Sequence, residues 1–453
     1  MDEIERLDGG LVLRRGTAAD ADELAAFYGA AVFGTPDRPD RHLAAWARDL
    51  LTRSHPTFAD GGFTVVHDPG PGRIVSALCL IPQTWSYAGV RVGVGRVELV
   101  GTLPAYRRRG LIRRQMAEAH RWSAALGHPV QIITGIANFY RRFGYEQALP
   151  MGGARGGLRQ QIPALPAGHA EPFRVRPATA ADAPFLADLE EGARRRSLLS
   201  VPRDAALWRY EIEGRNAEHA FRRVVCVVEA AGAVAPPEGA RVGALVHPPV
   251  RGPTVRVTTY ELLPGVSWLE ATPSVLRYLK AQGDAWAPAT PEDGDGRFDR
   301  FLFALGPEHP VYRALPDTLG ATEGPHLQYV RIADVPAFLR RLGSVLEQRL
   351  LASVAVGFTG RLRLSFYRDG VLLHFREGRL TGAEPCPHHV PGEEAGPIGA
   401  AFPDLSFLQL LCGARSLDEL EHAFADCRVR TEEARVLLHA LFPKLPSLIW
   451  AMS

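Results

Sequence analysis

The 453-residue sequence has few cysteines and no long apolar run. No Cys-x-x-Cys pair occurs and the cysteines are widely spaced, which excludes a disulfide framework and a zinc knuckle. No 18-residue apolar stretch exists that could span a membrane. The acidic start MDEIERLDGG lacks the layout of a secretory signal. We therefore expect a soluble protein of a reducing cytoplasm. The cysteines are Cys79, Cys226, Cys386, Cys412 and Cys427.

The net charge is also small, because the sequence has 52 basic and 50 acidic residues, which give a formal charge of +2. This balance gives no overall attraction to nucleic acid or to a membrane surface, so we expect neither as a partner. Lys280 and Lys444 are the only lysines, and all other basic residues are arginine. A GC-rich coding bias explains this preference. The length predicts about three domains.

The sequence repeats itself at a nearly constant offset. Residues 17–20 and 179–182 both read TAAD, each after a short apolar strand and before an amphipathic run. The threonine-x-x-acid spacing is typical of a helix start. A second echo, VELVGTLPAY around Glu98 and YELLPGVSWL around Glu261, has almost the same offset. The two echoes predict one fold in tandem, with a glycine- and proline-containing linker at 150–172.

A third unit of different character follows about Asp334. DVPAFLRRLGSVLEQRLLASV has the apolar spacing of a helix. The alternating segment GRLRLSFYRDGVLLHFREGRL predicts a hairpin about an Asp369-Gly370 turn. Three short helices are expected after it. The predicted units are therefore 1–150, 151–332 and 333–453, in a mixed α/β (α+β) fold with mostly antiparallel sheets flanked by helices.

The segment RVELVGTLPAYRRRGLIRRQ carries the clearest chemical signal. It predicts a strand followed by a helix that opens at Gly110. The start of a helix exposes unpaired N–H groups and a partial positive charge, and glycine lets a phosphate approach the backbone. Between Tyr106 and Arg121 the sequence has six arginines and one glutamate. We predict that 107–110 bind phosphate, whereas the arginines at 113, 114 and 121 form a solvated helix face.

This segment resembles the GNAT (Gcn5-related N-acetyltransferase) superfamily. The superfamily's acetyl-CoA signature is [RQ]-x-x-G-x-[GA]. Residues 107–112 match this signature, except that Ile112 stands in place of the final small residue. That replacement, and FYRRFGYEQA at 139–148, resemble the Eis (enhanced intracellular survival) branch. The resemblance implies a catalytic GNAT unit, a degenerate second GNAT unit and a sterol-carrier-like C-terminal domain. The signature residues are Arg107, Arg108, Arg109, Gly110, Leu111 and Ile112.

The resemblance also implies a reaction, the transfer of acetyl from acetyl-CoA to a primary amine on an aminoglycoside, a polyamine or a lysine. Val100, Gly101 and Thr102 would offer backbone groups to the pantetheine arm. Tyr140 would lie near the leaving sulfur. Because a phenol has a pKa of about 10 and a thiol one of about 8.5, Tyr140 would act as a hydrogen-bond donor to the thiolate. Tyr145 is predicted to be a packing residue. Eis-like proteins form trimers and hexamers, which implies a homo-oligomer.

Two carboxylates are candidates for the general base. In Eis-like enzymes the terminal carboxylate reaches the active site, which points to Ser453, although the branch's usual terminal phenylalanine is absent. Glu98 could act through a water, but its echo Glu261 favours a structural role. In the second copy, an offset of 163 places Glu270 and Pro273 at the phosphate-binding positions. A carboxylate repels phosphate and proline lacks an N–H group, so this copy should not bind CoA.

The remaining motifs favour structural interpretations. Cys386, His388 and His389 stand in one segment without a partner pair at zinc spacing, so we predict a surface loop and no metal site. Trp46, Trp85 and Trp208 could line an acceptor pocket but are expected in the core. A non-catalytic CoA- or lipid-binding regulator is the alternative to an enzyme. The arginine-glycine segment together with Tyr140 favours the enzyme.

Overall fold

The computed structural model describes residues 3–59, 61–231, 239–286, 298–387, 399–447 and 449. In these residues three β-sheets are flanked by helices, which confirms the predicted mixed α/β class. The strands are β1 (Glu3–Arg6), β2 (Val12–Arg15), β3 (Phe63–Asp68), β4 (Arg73–Tyr87), β5 (Val90–Thr102), β6 (Val130–Ile133), β7 (Glu146–Leu158), β8 (Phe173–Pro177), β9 (Leu199–Ser200), β10 (Val224–Ala230), β11 (Arg241–His247), β12 (Thr254–Val257), β13 (Thr259–Leu262), β14 (Arg300–Phe303), β15 (Ala321–Ile332), β16 (Gly360–Ser365), β17 (Asp369–Arg376), β18 (Arg379–Pro387), β19 (Ala400–Ala401) and β20 (Arg428–Val429).

The helices lie between these strands and cover the sheets. None in the described part of the chain combines the length and the apolar character needed to cross a bilayer. The α-helices are α1 (Ala21–Ala26), α2 (Arg41–Thr52), α3 (Leu111–Ala125), α4 (Ala183–Arg194), α5 (Ala205–Arg209), α6 (Trp268–Asp284), α7 (Val311–Ala314), α8 (Val335–Arg341), α9 (Gly343–Leu351), α10 (Phe407–Leu411), α11 (Leu417–Ala423) and α12 (Glu432–Leu441).

The largest sheet has the strand order β1-β2-β3-β4-β5-β6-β15-β7-β14-β12, with β9 paired to β4. Most neighbours are antiparallel, but β5 with β6 and β12 with β14 are parallel. β15, which is distant in sequence, lies between β6 and β7 and pairs with both. β7 in turn pairs with β14 through its second half. The first and second predicted units thus share one continuous sheet.

The TAAD motif folds the same way at both positions. The guanidinium of Arg14 donates to Asp20 over 2.8 and 2.7 Å, and that of Arg176 donates to Asp182 over 2.8 and 3.0 Å. In each copy the motif's threonine N–H also donates to the aspartate, and a helix begins directly after it. The repeated sequence therefore specifies a repeated local structure, while the tandem GNAT arrangement stays a prediction.

The predicted linker at 150–172 is wrong in its first part, because residues up to Leu158 belong to β7. A Cβ on Gly156 would lie 1.9 Å from the carbonyl oxygen of Phe301, and one on Gly157 would lie 2.2 Å from that of Thr318. These glycines are needed where the backbones approach closely, so their presence did not signal a flexible linker. The strand also runs across the predicted boundary at residue 150.

The third unit contains a five-stranded sheet of order β18-β17-β16-β19-β20. β16 and β17 form the expected hairpin, but its turn lies before Asp369, with Tyr367 in the left-handed region at a φ of 68°. The helix predicted from Asp334 is two helices, α8 and α9, that meet at Leu342. The three tryptophans Trp46, Trp85 and Trp208 are buried, which confirms their predicted place in the core.

Candidate active site

Strand β5 changes its pairing near Glu98, within the segment VELVGTLPAY that is repeated in the sequence. Its parallel pairing with β6 ends at Val97, whereas its antiparallel pairing with β4 continues to Thr102. The register with β4 shifts after Glu98, and Leu99 has a φ of 53°. This is a β-bulge, which bends a strand and leaves backbone groups unpaired. The end of β5 therefore separates from the chain that continues from β6, and a cleft opens between them.

This cleft, here called the bulge cleft, has a volume of about 660 Å³. Its walls are residues 32–33, the end of β5, the turn and first residues of α3, and the segment 136–143. Within the described residues the lining includes several arginines and neither aspartate nor glutamate. Most of the residues predicted for the site meet here. They are Val100, Gly101, Thr102, Arg107, Arg108, Gly110, Leu111, Ile112 and Tyr140.

The start of α3 is suited to binding an anion. Gly110 is the residue before the helix, in the left-handed conformation with a φ of 75°, and among the described residues no side-chain hydrogen bond caps the helix start. The 15-residue helix places a partial positive charge at this end. Ile112, which departs from the acetyl-CoA signature, is partly buried against the apolar cluster that contains Tyr140. The bulky residue thus contributes to packing under the cleft.

The arginines around the bulge cleft divide into two groups. Arg113 is exposed, as predicted, but it also lines the cleft, and so does Arg142. In contrast, the guanidinium of Arg109 lies over the Tyr106 ring at 4.9 Å from its centroid, outside the cleft lining. Arg114 pairs with Glu5 at 3.3 Å, and the predicted solvated residue Arg121 pairs with Glu118. Helix periodicity alone did not identify Arg113 as a residue of the cleft.

Tyr140 lines the bulge cleft and is 5% exposed. Its ring packs against the rings of Phe139, Tyr145 and Tyr329. In the described part of the chain its hydroxyl makes no hydrogen bond. Burial raises the pKa of Tyr140 well above its usual range, and the charge of Glu98 adds to this effect. The phenol is therefore protonated at neutral pH and is available as a donor.

Gly135 is a site residue that the sequence analysis missed. A Cβ at this position would lie 2.4 Å from Cε2 of Tyr140. Glycine therefore lets the Tyr140 ring lie directly against the backbone that follows β6. The neighbouring Tyr145 is fully buried, and its hydroxyl is 2.9 Å from Nε2 of His120. This placement agrees with the predicted packing role of Tyr145.

Glu98 is held in an ion pair on β5. Nε and Nη2 of Arg96 both lie 2.8 Å from Oε1 of Glu98, and both side chains are largely buried. The echo residue Glu261 is paired similarly, since Nη2 of Arg196 donates to both of its oxygens over 2.6 and 2.7 Å. The shared pairing supports the structural interpretation of Glu98. Ser453, the other candidate base, lies outside the described residues, as do His388 and His389 of the proposed surface loop.

The offset of 163 does not hold at the phosphate-binding positions of the second copy. Ser267 precedes α6 as Gly110 precedes α3, and Glu270 and Pro273 lie within α6. The connection from β13 to α6, LPGVS, is shorter than that from β5 to α3. Because this turn is shorter, an offset of 163 does not give the positions that correspond to the start of α3. The turn LPGVS contains no arginine. The prediction that this copy does not bind CoA is therefore supported by the lack of arginines in the turn, and no longer by Glu270 and Pro273.

Comparison with known proteins supports an acetyltransferase domain in the first part of the chain. The family model described as an acetyltransferase (GNAT) domain matches residues 12–148. No curated protein matches the sequence. The matched residues contain the bulge, the arginine-glycine turn and Tyr140. The chain therefore carries a GNAT acetyltransferase domain at 12–148.

Solved structures resemble the chain over nearly its whole length. A protein of unknown function from Enterococcus faecalis V583, described as a probable N-acyltransferase, is 14% identical with a TM-score of 0.64, over 96% of this chain and 98% of that one. A GCN5-related N-acetyltransferase from Kribbella flavida is 18% identical with a TM-score of 0.61, over 96% of each chain. Eis1 from Mycobacterium abscessus is 16% identical with a TM-score of 0.58, over 97% and 99%. These similarities show a shared fold.

Proposed function

We propose that this protein is an acetyl-CoA-dependent N-acetyltransferase that moves acetyl directly to a primary amine, such as an aminoglycoside, a polyamine or a lysine side chain. One observation carries the proposal. The bulge of β5, the arginine-rich start of α3 and Tyr140, whose hydroxyl has no hydrogen-bond partner among the described residues, line a single cleft. A GNAT domain model matches the same residues. Cytoplasmic location, a trimer or hexamer, and a sterol-carrier-like third unit belong to the proposal through the resemblance to Eis.

Acetyl-CoA fits the chemistry of the bulge cleft. Arg107, Arg108 and Arg113, with the unpaired N–H groups of α3, would hold the pyrophosphate, since guanidinium groups and helix starts both favour phosphate. The backbone of Val100–Thr102 would pair with the amides of the pantetheine arm. A Cβ on Gly101 would lie 2.9 Å from Cγ1 of Val32, another lining residue, so the chain is closely packed at this point of the cleft.

Tyr140 accounts for the chemical step. As the amine nitrogen bonds to the acetyl carbon, the carbon–sulfur bond breaks and the sulfur gains negative charge. The neutral Tyr140 hydroxyl would donate a hydrogen bond to that sulfur. Because a thiol ordinarily has a pKa of about 8.5, below that of Tyr140, the sulfur can leave as a thiolate and take a proton late. The proton that the amine loses passes to a base, for which Ser453 and Glu98 remain the candidates.

The test measures CoA release from acetyl-CoA with a panel of primary amines. We expect turnover with at least one amine and a loss of about a hundredfold to a thousandfold in kcat for Tyr140→Phe, the range of a general acid or donor. Tyr145→Phe is the matched control, because this hydroxyl pairs with His120 away from the cleft lining. Tight acetyl-CoA binding without turnover of any amine would instead favour the regulatory protein.

The assignment of the phosphate site has its own test, Arg107→Glu. A carboxylate at this position would repel the pyrophosphate, and we expect acetyl-CoA binding to be lost by calorimetry. An exposed arginine away from the cleft lining, Arg209, gives the charge-matched control Arg209→Glu. Retained affinity in Arg107→Glu would exclude the proposed phosphate site.

A further inference from the structure

A second cleft lies where the three predicted units meet, and it shares no lining residue with the bulge cleft. Its walls come from the end of the β4–β5 hairpin, the end of α4 and the segment after it, and Leu445. Its volume is about 430 Å³, within the range of small-molecule sites. We call it the junction cleft. Its arginines are Arg91, Arg194, Arg195 and Arg196.

The positive charge of the junction cleft exceeds its negative charge. Arg194 pairs with Glu191, which is the only carboxylate among the described residues that line the cleft. Arg196 pairs with Glu261. In the described part of the chain, the guanidinium groups of Arg91 and Arg195 have no ion-pair or hydrogen-bond partner. Two exposed guanidinium groups without an ion-pair partner among the described residues therefore lie at one cleft.

A helix end does not explain this convergence. Basic residues are favoured at the C-terminus of a helix, and this accounts for the three consecutive arginines at the end of α4. Arg91, however, comes from β5, and its carbonyl oxygen accepts a hydrogen bond of 2.9 Å from a further arginine, Arg341. Burial lowers the pKa of Arg194; the negative charge of Glu190 opposes this shift, and the positive charge of Arg91 adds to it. The cations from two elements are thus close enough to repel each other.

We propose that the junction cleft binds a small multivalent oxyanion, a phosphorylated or polycarboxylate compound. Planar guanidinium groups bind paired oxygen atoms strongly, and several of them around one space select for more than one negative charge. A bound anion would remove the repulsion between Arg91 and the end of α4 and would link the first unit to the second. The proposal is independent of the acetyltransferase activity.

Inorganic pyrophosphate is the probe, measured by isothermal titration calorimetry. Because the bulge cleft should also bind it, the titrations use a protein carrying Arg107→Gln and Arg108→Gln. We expect this protein to retain one pyrophosphate site that weakens with added salt. Adding Arg91→Gln and Arg195→Gln should weaken binding about tenfold or more. Both side chains are exposed and unpaired in the described structure, so the fold should be unaffected.

The matched control adds Arg209→Gln and Arg313→Gln instead, which removes the same charge from exposed positions outside both clefts. We expect this control to bind pyrophosphate as its parent does. Two results would overturn the proposal. One is the absence of pyrophosphate binding once Arg107 and Arg108 are replaced. The other is equal binding by the variant at Arg91 and Arg195 and by its control.

Discussion

Gly135 and Tyr140 are in direct contact, and a Cβ on the glycine would lie 2.4 Å from Cε2 of the tyrosine ring. The ring also packs against Tyr329, with 5.6 Å between the ring centroids. The position of the hydroxyl is therefore set by the absence of a side chain at residue 135. This contact joins the backbone after β6 to the group that we place near the sulfur.

The substitution Gly135→Ala tests this relationship. The new methyl group must displace the ring, and a displacement of about 1 Å at a reacting group can cost up to about a hundredfold in rate. We expect kcat to fall at least tenfold while the affinity for acetyl-CoA changes little. The control is Gly192→Ala in α4, where a Cβ would meet nothing within 4 Å. An unchanged kcat in Gly135→Ala would contradict the role of the contact.

Arg113 and Arg114 form a natural pair for testing the phosphate site. They are consecutive and both exposed, but Arg113 lines the bulge cleft while Arg114 pairs with Glu5. We expect Arg113→Gln to raise the Kd for acetyl-CoA about fivefold to tenfold, as for loss of a charge-assisted contact. Arg114→Gln should leave the Kd unchanged. Calorimetry at two salt concentrations measures both, and equal effects would mean that only overall charge matters.

The repeated arginine–aspartate pair predicts a dependence of stability on pH. Hydrogen bonds from Arg176 hold the pKa of Asp182 well below its usual range. Its carboxylate therefore stabilises the fold above the unfolded pKa of about 3.9, and this contribution is lost as the pH falls through the lower folded pKa. Asp182→Asn should cost about 1.5–3 kcal/mol at pH 7, and its difference from wild type should shrink below about pH 4.

Denaturant unfolding followed by circular dichroism at pH 7 and in acid measures this difference. The exposed residue Asp188, on the same helix α4, provides the control Asp188→Asn. We expect the control to change stability by less than about 0.5 kcal/mol. A pH-independent loss in Asp182→Asn would show that the capping geometry, rather than the charge of Asp182, stabilises this helix start.

Local features of the fold could be predicted from the sequence, because they depend on neighbouring residues. The Thr-x-x-Asp helix starts and the arginine-glycine turn before α3 are of this kind. The place of β15 between β6 and β7 could not be predicted, since this pairing joins residues about 200 positions apart. The glycines of β7 suggested a linker instead of a strand for the same reason. Their function depends on the carbonyl groups of Phe301 and Thr318, which are distant in sequence.

The candidate site was predictable to a similar extent. Motif residues such as Arg107 and Tyr140 were identified by the resemblance, and the structure brings them to one cleft. Arg109 was included by the same motif, yet its side chain lies on Tyr106. A motif specifies the backbone path but not the direction of each side chain. Gly135 was missed because its significance appears only when the Tyr140 ring is placed against it.

The place of β15 between β6 and β7 predicts that the first unit does not fold alone. Tyr329 of β15 contributes a fully buried ring to the cluster around Tyr140, and β15 fills the space between β6 and β7. A chain ending at residue 158 would leave the edge of β6 unpaired and that ring contact empty. We expect this chain to aggregate or to lack cooperative thermal unfolding, whereas adding residues 159–332 should restore both solubility and a sharp transition. Cooperative unfolding of the shorter chain, measured by calorimetry, would show that the predicted boundary at residue 150 separates independent folding units despite the shared sheet.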